Sequence, residues 1–413
     1  MKLIQKHGPL ISYFSFSIAT SALGFIAVLV MMRLMPPEEF GRIALFLSVQ
    51  FIAVPLISFA ADGLIAINKA KLGVAEYENF RCSYVTFAYL MFAMVQATFF
   101  LLYPLGILHD YLFLLIPLYG LIRFLIGMAS TEYVMEEKAV QYGLVAFSTT
   151  LTSLLLTILL LRLFSDVADW RIVALLFADV LFLFVRYRGR MKLLWTFSVD
   201  NAVVKNILRF GFPLLLSVAP AWALNEADKI IVAKYADMVS LGYYAAACAI
   251  GGIMITFNTA MLNALTPKIY QDLGENPGGL ISIVKRYVGK LLGASAAFGC
   301  LFAFVYWLAA DLILPEKYAA ARQIVFVVIL FSLARGLYSV LGTVNDYYKM
   351  THVRLFAFCV GAGVAVAVAI WSINTMGVVG VAGSVGLGYL VLCAVLWANL
   401  KKIARHERAG KYL

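Results

Sequence analysis

Arg123 and Arg335 each fall near the middle of an apolar run of about twenty residues. A guanidinium placed there in hydrocarbon costs about 2.5–3.5 kcal/mol on insertion scales, so something must compensate it. Its planar fork matches the oxygens of a phosphate, and one reading has both arginines lining a passage for an anionic group. The other reading buries them between helices against carboxylates such as Asp179 or Glu132. A second cluster, Glu226, Asp228 and Lys229, lies in one apolar stretch. Glu226 and Lys229 are three apart and share a helix face, which makes an internal ion pair the simplest arrangement. A gate that touches an anionic group is the sharper one. Asp62 is a lone carboxylate in another apolar run; it either reaches water or, held in low dielectric, is a candidate to carry a coupling proton, as is Glu226. Arg33 and Lys234 each close an apolar run with a cation and join the candidates for the same passage.

Other chemistries find little support. The five cysteines are odd in number, and four lie inside apolar runs as small hydrophobes. The four histidines, His7, His109, His352 and His406, are scattered near run ends without metal-ligand spacing. There is no Gly-x-x-x-x-Gly-Lys-Ser/Thr loop, so no ATP hydrolysis is expected on this chain. Neither an enzymatic reaction nor a bound cofactor is expected; coupling to a proton or ion gradient and uniport driven by the membrane potential are both open.

The elements that position these residues follow from composition. The 413 residues are 63% hydrophobic and 13% charged, with mean hydropathy +0.91. Soluble domains are about half apolar and about a quarter charged, so lipid is the solvent for most of this chain. The apolar runs are long and continuous rather than short and alternating, which selects helices over a barrel. Spans are expected near 10–32, 43–67, 84–104, 111–131, 142–163 and 171–185, then near 211–233, 240–266, 287–309, 319–343, 353–373 and 377–399. The fold class is all-α, a polytopic membrane protein with about twelve transmembrane helices in two six-helix lobes. Residues 1–190 form the first lobe, 191–209 a basic amphipathic linker at the cytoplasmic leaflet, and 210–413 the second lobe.

Lys and Arg distribution sets the orientation. With the N-terminus inside, 23 of the 33 basic residues, Arg81 among them, fall in cytoplasmic segments and seven outside. Both termini are then cytoplasmic, and the net charge of +11 is a topology signal rather than a nucleic-acid-binding face. Trp170, Trp195, Trp307, Trp371 and Trp397 lie near run ends, as an interfacial belt requires. Tyr243 and Tyr244 serve either packing or stacking on sugar rings.

Equal halves invite a search for repeats. A shift of 201 lays Arg33 on Lys234, Gly41 on Gly242, Ala44 on Ala245 and Asp62 on Asn263. A shift of 212 lays Leu121 on Leu333, Arg123 on Arg335 and Thr131 on Thr343. Six helices per half start both halves on the same side, a parallel repeat.

The segment Arg33-Leu34-Met35-Pro36-Pro37-Glu38-Glu39-Phe40-Gly41 resembles a motif of Wzx-type polysaccharide flippases. Gly211-Phe212-Pro213-Leu214, Asn225-Glu226-Ala227-Asp228-Lys229 and Leu241-Gly242-Tyr243-Tyr244-Ala245 resemble that family's seventh-helix motifs, and Leu314 to Ala321 its outer loop after helix nine. The resemblance implies a MATE-like fold and alternating access. The implied cargo is an undecaprenyl-pyrophosphate-linked oligosaccharide, carried from the cytoplasmic to the outer leaflet of a bacterial inner membrane for O-antigen or other surface polysaccharide. It further implies a polysaccharide polymerase and a chain-length regulator as partners. Two rivals stand beside it: a multidrug antiporter of the same fold, whose cavity would favour acidic residues, and a membrane polymerase or ligase, which would need long outer loops where here each is shorter than about a dozen residues.

Overall fold

A peptide group exposed to hydrocarbon has no water to bond, so long apolar runs must close their hydrogen bonds internally as helices. The computed structural model describes residues 2–106, 108, 110–165, 167–188, 197–276 and 278–408, with side chains from 15 to 407 within those ranges. Among the described residues there are helices and no strands. They are α1 (Lys2–Leu34), α2 (Pro37–Ser58), α3 (Gly63–Lys71), α4 (Val74–Leu102), α5 (Ile116–Met135), α6 (Ala139–Leu163) and α7 (Ala168–Tyr187). Then follow α8 (Asn201–Tyr235), α9 (Met238–Gly251), α10 (Ile253–Glu275), α11 (Leu280–Ile313), α12 (Ala321–Tyr347) and α13 (Thr351–Arg408).

Ten segments are long and apolar enough to cross a membrane, with α2 and α3 together making one, as do α9 and α10. One of the ten, Thr351–Glu407, is two helices, because Gly377 at φ +61° breaks α13. Helix α7 falls outside the ten because it carries Asp169, Arg171, Asp179 and Arg186 in 20 residues. Counting α7 and both halves of α13 gives the expected twelve among the described residues. Helices α4, α8 and α11 begin seven to ten residues before the expected starts at 84, 211 and 287, since polar helix ends beyond the apolar core carry no hydropathy signal.

The chain packs as two units, Met1–Ala219 and Pro220–Leu413. The first has a core that includes Ile57, Tyr84, Phe124 and Ile207, and the second one that includes Leu224, Leu291, Val344 and Leu392. The divide thus falls inside α8, later than the expected start of the second lobe at 210. Ile207 is wholly buried in the first core, where Val203, Val204 and Phe210 pack on it. Of the expected linker, 191–196, with Trp195, lies outside the described residues; 197–200 is non-helical, and α8 begins at Asn201.

Both internal registers reappear in the helix ends. Helices α1 and α8 stop at Leu34 and Tyr235, and α2 and α9 start at Pro37 and Met238, offsets of 201. Helices α5 and α12 stop at Met135 and Tyr347, and α6 and α13 start at Ala139 and Thr351, offsets of 212. In those last two corners Glu137 (φ 56°) and Lys349 (φ 57°) are both left-handed. The Lys138 N–H donates to the Tyr133 carbonyl at 2.9 Å, and the Met350 N–H to the Asn345 carbonyl at 3.1 Å. Each is the six-to-one bond of a Schellman cap, at a position that usually holds glycine.

The α2–α3 joint has no counterpart at the same depth in the second lobe. Phe59 and Ala60 are left-handed there (φ 54° and 52°), after Pro55 inside α2. Gly211 of α8 presses on this joint: a Cβ at 211 would lie 2.1 Å from the Phe59 carbonyl oxygen. The glycine of the Gly211-Phe212-Pro213-Leu214 motif is thus required by a close backbone approach.

Candidate functional site

In the first lobe Arg123 projects from the middle of α5. Its Nε lies 2.9 Å from an Asp179 carboxylate oxygen on α7, and its Nε and Nη2 donate to the Tyr119 hydroxyl at 2.9 and 2.6 Å. Asp179 is 2% exposed and the Arg123 side chain 37%. Arg171, also on α7, is buried and donates to the Thr157 hydroxyl at 2.8 Å and the Ser153 carbonyl at 3.3 Å. Arg123, Arg171 and Asp179 therefore place two guanidinium groups around one carboxylate between α5, α6 and α7. Arg123 is at once ion-paired, as the structural reading had it, and part-exposed, as a passage would require. Glu132, the other expected partner, binds elsewhere.

In the second lobe Arg335 occupies the equivalent position on α12, one 212-residue register away. Its neighbour is a ring: the guanidinium lies 5.7 Å from the centre of Tyr389. No carboxylate lies within ion-pair distance of it among the described residues. The Tyr389 hydroxyl donates to Asn225 Oδ1 at 2.8 Å, which ties Arg335's aromatic neighbour to the asparagine of the α8 motif.

One turn further along α8, Lys229 Nζ lies 2.8 Å from Glu226 and 3.7 Å from Asp228 and donates to the Asn225 carbonyl at 3.3 Å. Asp228 is buried and accepts a short hydrogen bond from the buried Tyr244 hydroxyl. The cluster therefore contains the ion pair that the three-residue spacing favours, and Tyr244 is engaged there rather than exposed for stacking. Tyr243 meets Tyr318 edge-on at 6.3 Å, joining two of the motif segments.

Asp62 stands at the start of α3, in the break after α2, and is exposed within its lobe, whereas Asn263 lies inside α10. The Ser58 hydroxyl donates to Asp62 at 2.9 Å, and the Tyr84 hydroxyl to the Ser58 carbonyl at 2.8 Å. Arg33 and Lys234 are exposed near the ends of α1 and α8, remote in sequence from the mid-helix arginines; Lys234 lies 5.6 Å from the Tyr235 ring centre.

Sequence reasoning missed one cluster. Arg81, assigned to a cytoplasmic segment, is buried on α4, because that helix starts at Val74. It lies 3.0 Å from Glu132, which also meets Arg186 at 3.5 Å and accepts from the Tyr77 hydroxyl at 3.1 Å. The signal was present: Tyr77, Phe80, Arg81 and Tyr84 recur at helical spacing on one face.

The comparisons follow this architecture. Over residues 30–291 the chain matches the family described as polysaccharide biosynthesis protein. It is 26% identical over 145 residues to an Lsg locus protein of Haemophilus influenzae, and 27% over 146 residues to an uncharacterized membrane protein of that organism. Each match takes in 34% of this chain, and the chain spans only 36% of the length of those relatives. Among solved structures it is similar to the lipid II flippase MurJ, with TM-score 0.77, 14% identity, and coverage of 94% of this chain and 87% of that one. It is also similar to a multidrug resistance MATE family transporter of the MOP superfamily, with TM-score 0.65, 15% identity, and coverage of 97% and 99%. Those likenesses establish the fold. With more than half its length matched, this multi-pass membrane chain belongs to the polysaccharide biosynthesis protein family.

Proposed function

We propose that this protein flips an undecaprenyl-pyrophosphate-linked oligosaccharide from the cytoplasmic to the outer leaflet of a bacterial inner membrane, by alternating access of its two lobes. The observation that carries the reading is Arg335, a mid-helix cation with an aromatic neighbour and no carboxylate partner among the described residues. In lipid such a charge is costly unless an anion or water reaches it, and a pyrophosphate head supplies the anion. Arg123 is the second cation of the passage, with Asp179 holding it between cargoes. Lys229 and Asp228 serve as a gate further along α8, and Arg33 and Lys234 meet the anionic head near helix ends.

A membrane potential negative inside drives an anionic head outward by about 2.3 kcal/mol per charge per 100 mV. Obligatory proton coupling through Asp62 or Glu226 is therefore an addition, not a requirement. Cytoplasmic termini follow from the positive-inside count, and a polymerase and chain-length regulator would act on the flipped product. The multidrug-antiporter alternative is weakened by the same arginine, which would repel organic cations. The test is gene deletion followed by lipid analysis. Undecaprenyl-linked oligosaccharide should accumulate on the cytoplasmic leaflet, and purified protein in vesicles should expose it to an added outer-face glycosidase; normal glycolipid distribution in the deletion strain would refute the reading.

A further inference from the structure

Where α4 begins and α5 and α7 end, a cavity of about 350 Å³ opens among Lys69, Tyr77, Arg81, Glu132, Arg186 and Tyr187. Small-molecule sites run from roughly 300 to 1,000 Å³, so the space is sufficient. Glu132 is shared by Arg81 and Arg186, and Glu136 by Lys69 at 2.9 Å and Lys138 at 2.7 Å. A third carboxylate on the wall, Glu78, is exposed and makes no ion pair among the described residues. On the wall Lys69, Arg81 and Arg186 stand against Glu78, Glu132 and Glu136, and each paired carboxylate already has two basic partners.

The hydrogen-bond inventory favours an anion. Arg81 Nη2 and Arg186 Nε are buried without a hydrogen-bond partner among the described residues. Arg81 and Tyr187 are 4% and 2% exposed. A buried donor left unmade costs about 1–3 kcal/mol, and two guanidinium donors in one wall call for an acceptor-rich guest. The cations are also held in place: Lys69 lies 4.7 Å from the Tyr77 ring centre, Arg186 4.7 Å from that of Tyr133, and Arg81 5.1 Å from that of Tyr187. Such pre-placed donors suit phosphate oxygens, which accept several hydrogen bonds at once.

We propose that this cavity binds a phosphate-class anion, either the head of an anionic lipid or a free phosphate or pyrophosphate. A cation would leave the buried donors of this wall unmade. The site lies wholly within the first lobe and stands whatever the chain transports.

The test uses the full-length protein in nanodiscs. Thermal unfolding is followed during titration with sodium pyrophosphate at constant ionic strength, in phosphatidylcholine and in discs containing phosphatidylglycerol. A saturable rise of Tm with pyrophosphate in neutral discs identifies a free-anion site. A rise with phosphatidylglycerol that pyrophosphate does not add to identifies a lipid head. Arg186→Gln should weaken either effect about tenfold, the scale of one charge-assisted hydrogen bond. Glu78→Gln, a change at an exposed side chain, should strengthen it about twofold. The proposal fails if neither phosphate source raises Tm above its chloride or neutral-lipid control, or if both variants respond like the wild type.

Discussion

The Arg123 guanidinium lies 2.9 Å from the nearly inaccessible Asp179 carboxylate, a contact that joins the middle of α5 to the middle of α7. Its equivalent in the second lobe, Arg335, rests beside Tyr389 instead. The two arginines therefore differ in what their removal leaves behind.

Arg123→Ala strands a buried carboxylate. Losing one partner of a buried pair costs roughly 3–5 kcal/mol; with the guanidinium 37% exposed, about 2–3 kcal/mol is the expected loss. Arg123→Ala with Asp179→Asn should recover most of it, as read by thermal unfolding in detergent. Arg335→Ala strands no charge, so it should leave abundance unchanged while surface glycan falls. Full glycan display in the double arginine variant would remove both residues from the passage.

Gly211→Ala places a Cβ against the Phe59 carbonyl, and backbone at the α2–α3 joint must move. Overpacking of this kind costs about 1–3 kcal/mol. Gly63→Ala, whose Cβ would meet only the Phe210 ring at 3.4 Å, is the control and should change stability little.

Much of this architecture was legible beforehand. Twelve crossings and the 201 and 212 registers follow from apolar run length and a few identities, because lipid forces each run into a helix. The Glu226–Lys229 pair was legible from spacing alone. Arg123's engagement with Asp179 was one of two open readings, since a partner on another helix depends on packing that no local pattern encodes. Arg81 was misplaced for a related reason: hydropathy marks where a helix is greasy, not where it starts.

Glu137→Gly and Lys349→Gly should each stabilise the protein. A side chain held left-handed at a helix C-terminus pays a steric penalty that glycine lacks, about 0.5–1 kcal/mol net of glycine's extra chain entropy. The sites lie in different lobes, so the gains should add in the double variant's denaturation midpoint.

The Lys138 and Lys69 ammonium groups hold the Glu136 carboxyl below its ordinary value of 4.5, down to about 2. A depressed carboxylate contributes stability above its unfolded pKa and loses it as pH falls through the folded one. Wild type should therefore lose Tm faster than Glu136→Gln between about pH 4.5 and 2. Parallel curves across that window would show that the pair adds nothing.

Asp62 is exposed within its own lobe and bonded to Ser58, so Asp62→Asn should leave the pH profile of transport in vesicles unchanged. A shifted profile would restore it as a proton carrier.

The twin left-handed corners at 137 and 349 bear on ancestry. Two unrelated helical hairpins have no reason to bend alike without glycine, at the same offset that superposes their arginines. An ancestral gene half as long, inserted twice in one orientation, would have produced this chain by fusion. Both arginines keep a ring beside them, and the carboxylate that only the earlier one meets then records a divergence of roles after the copies were joined.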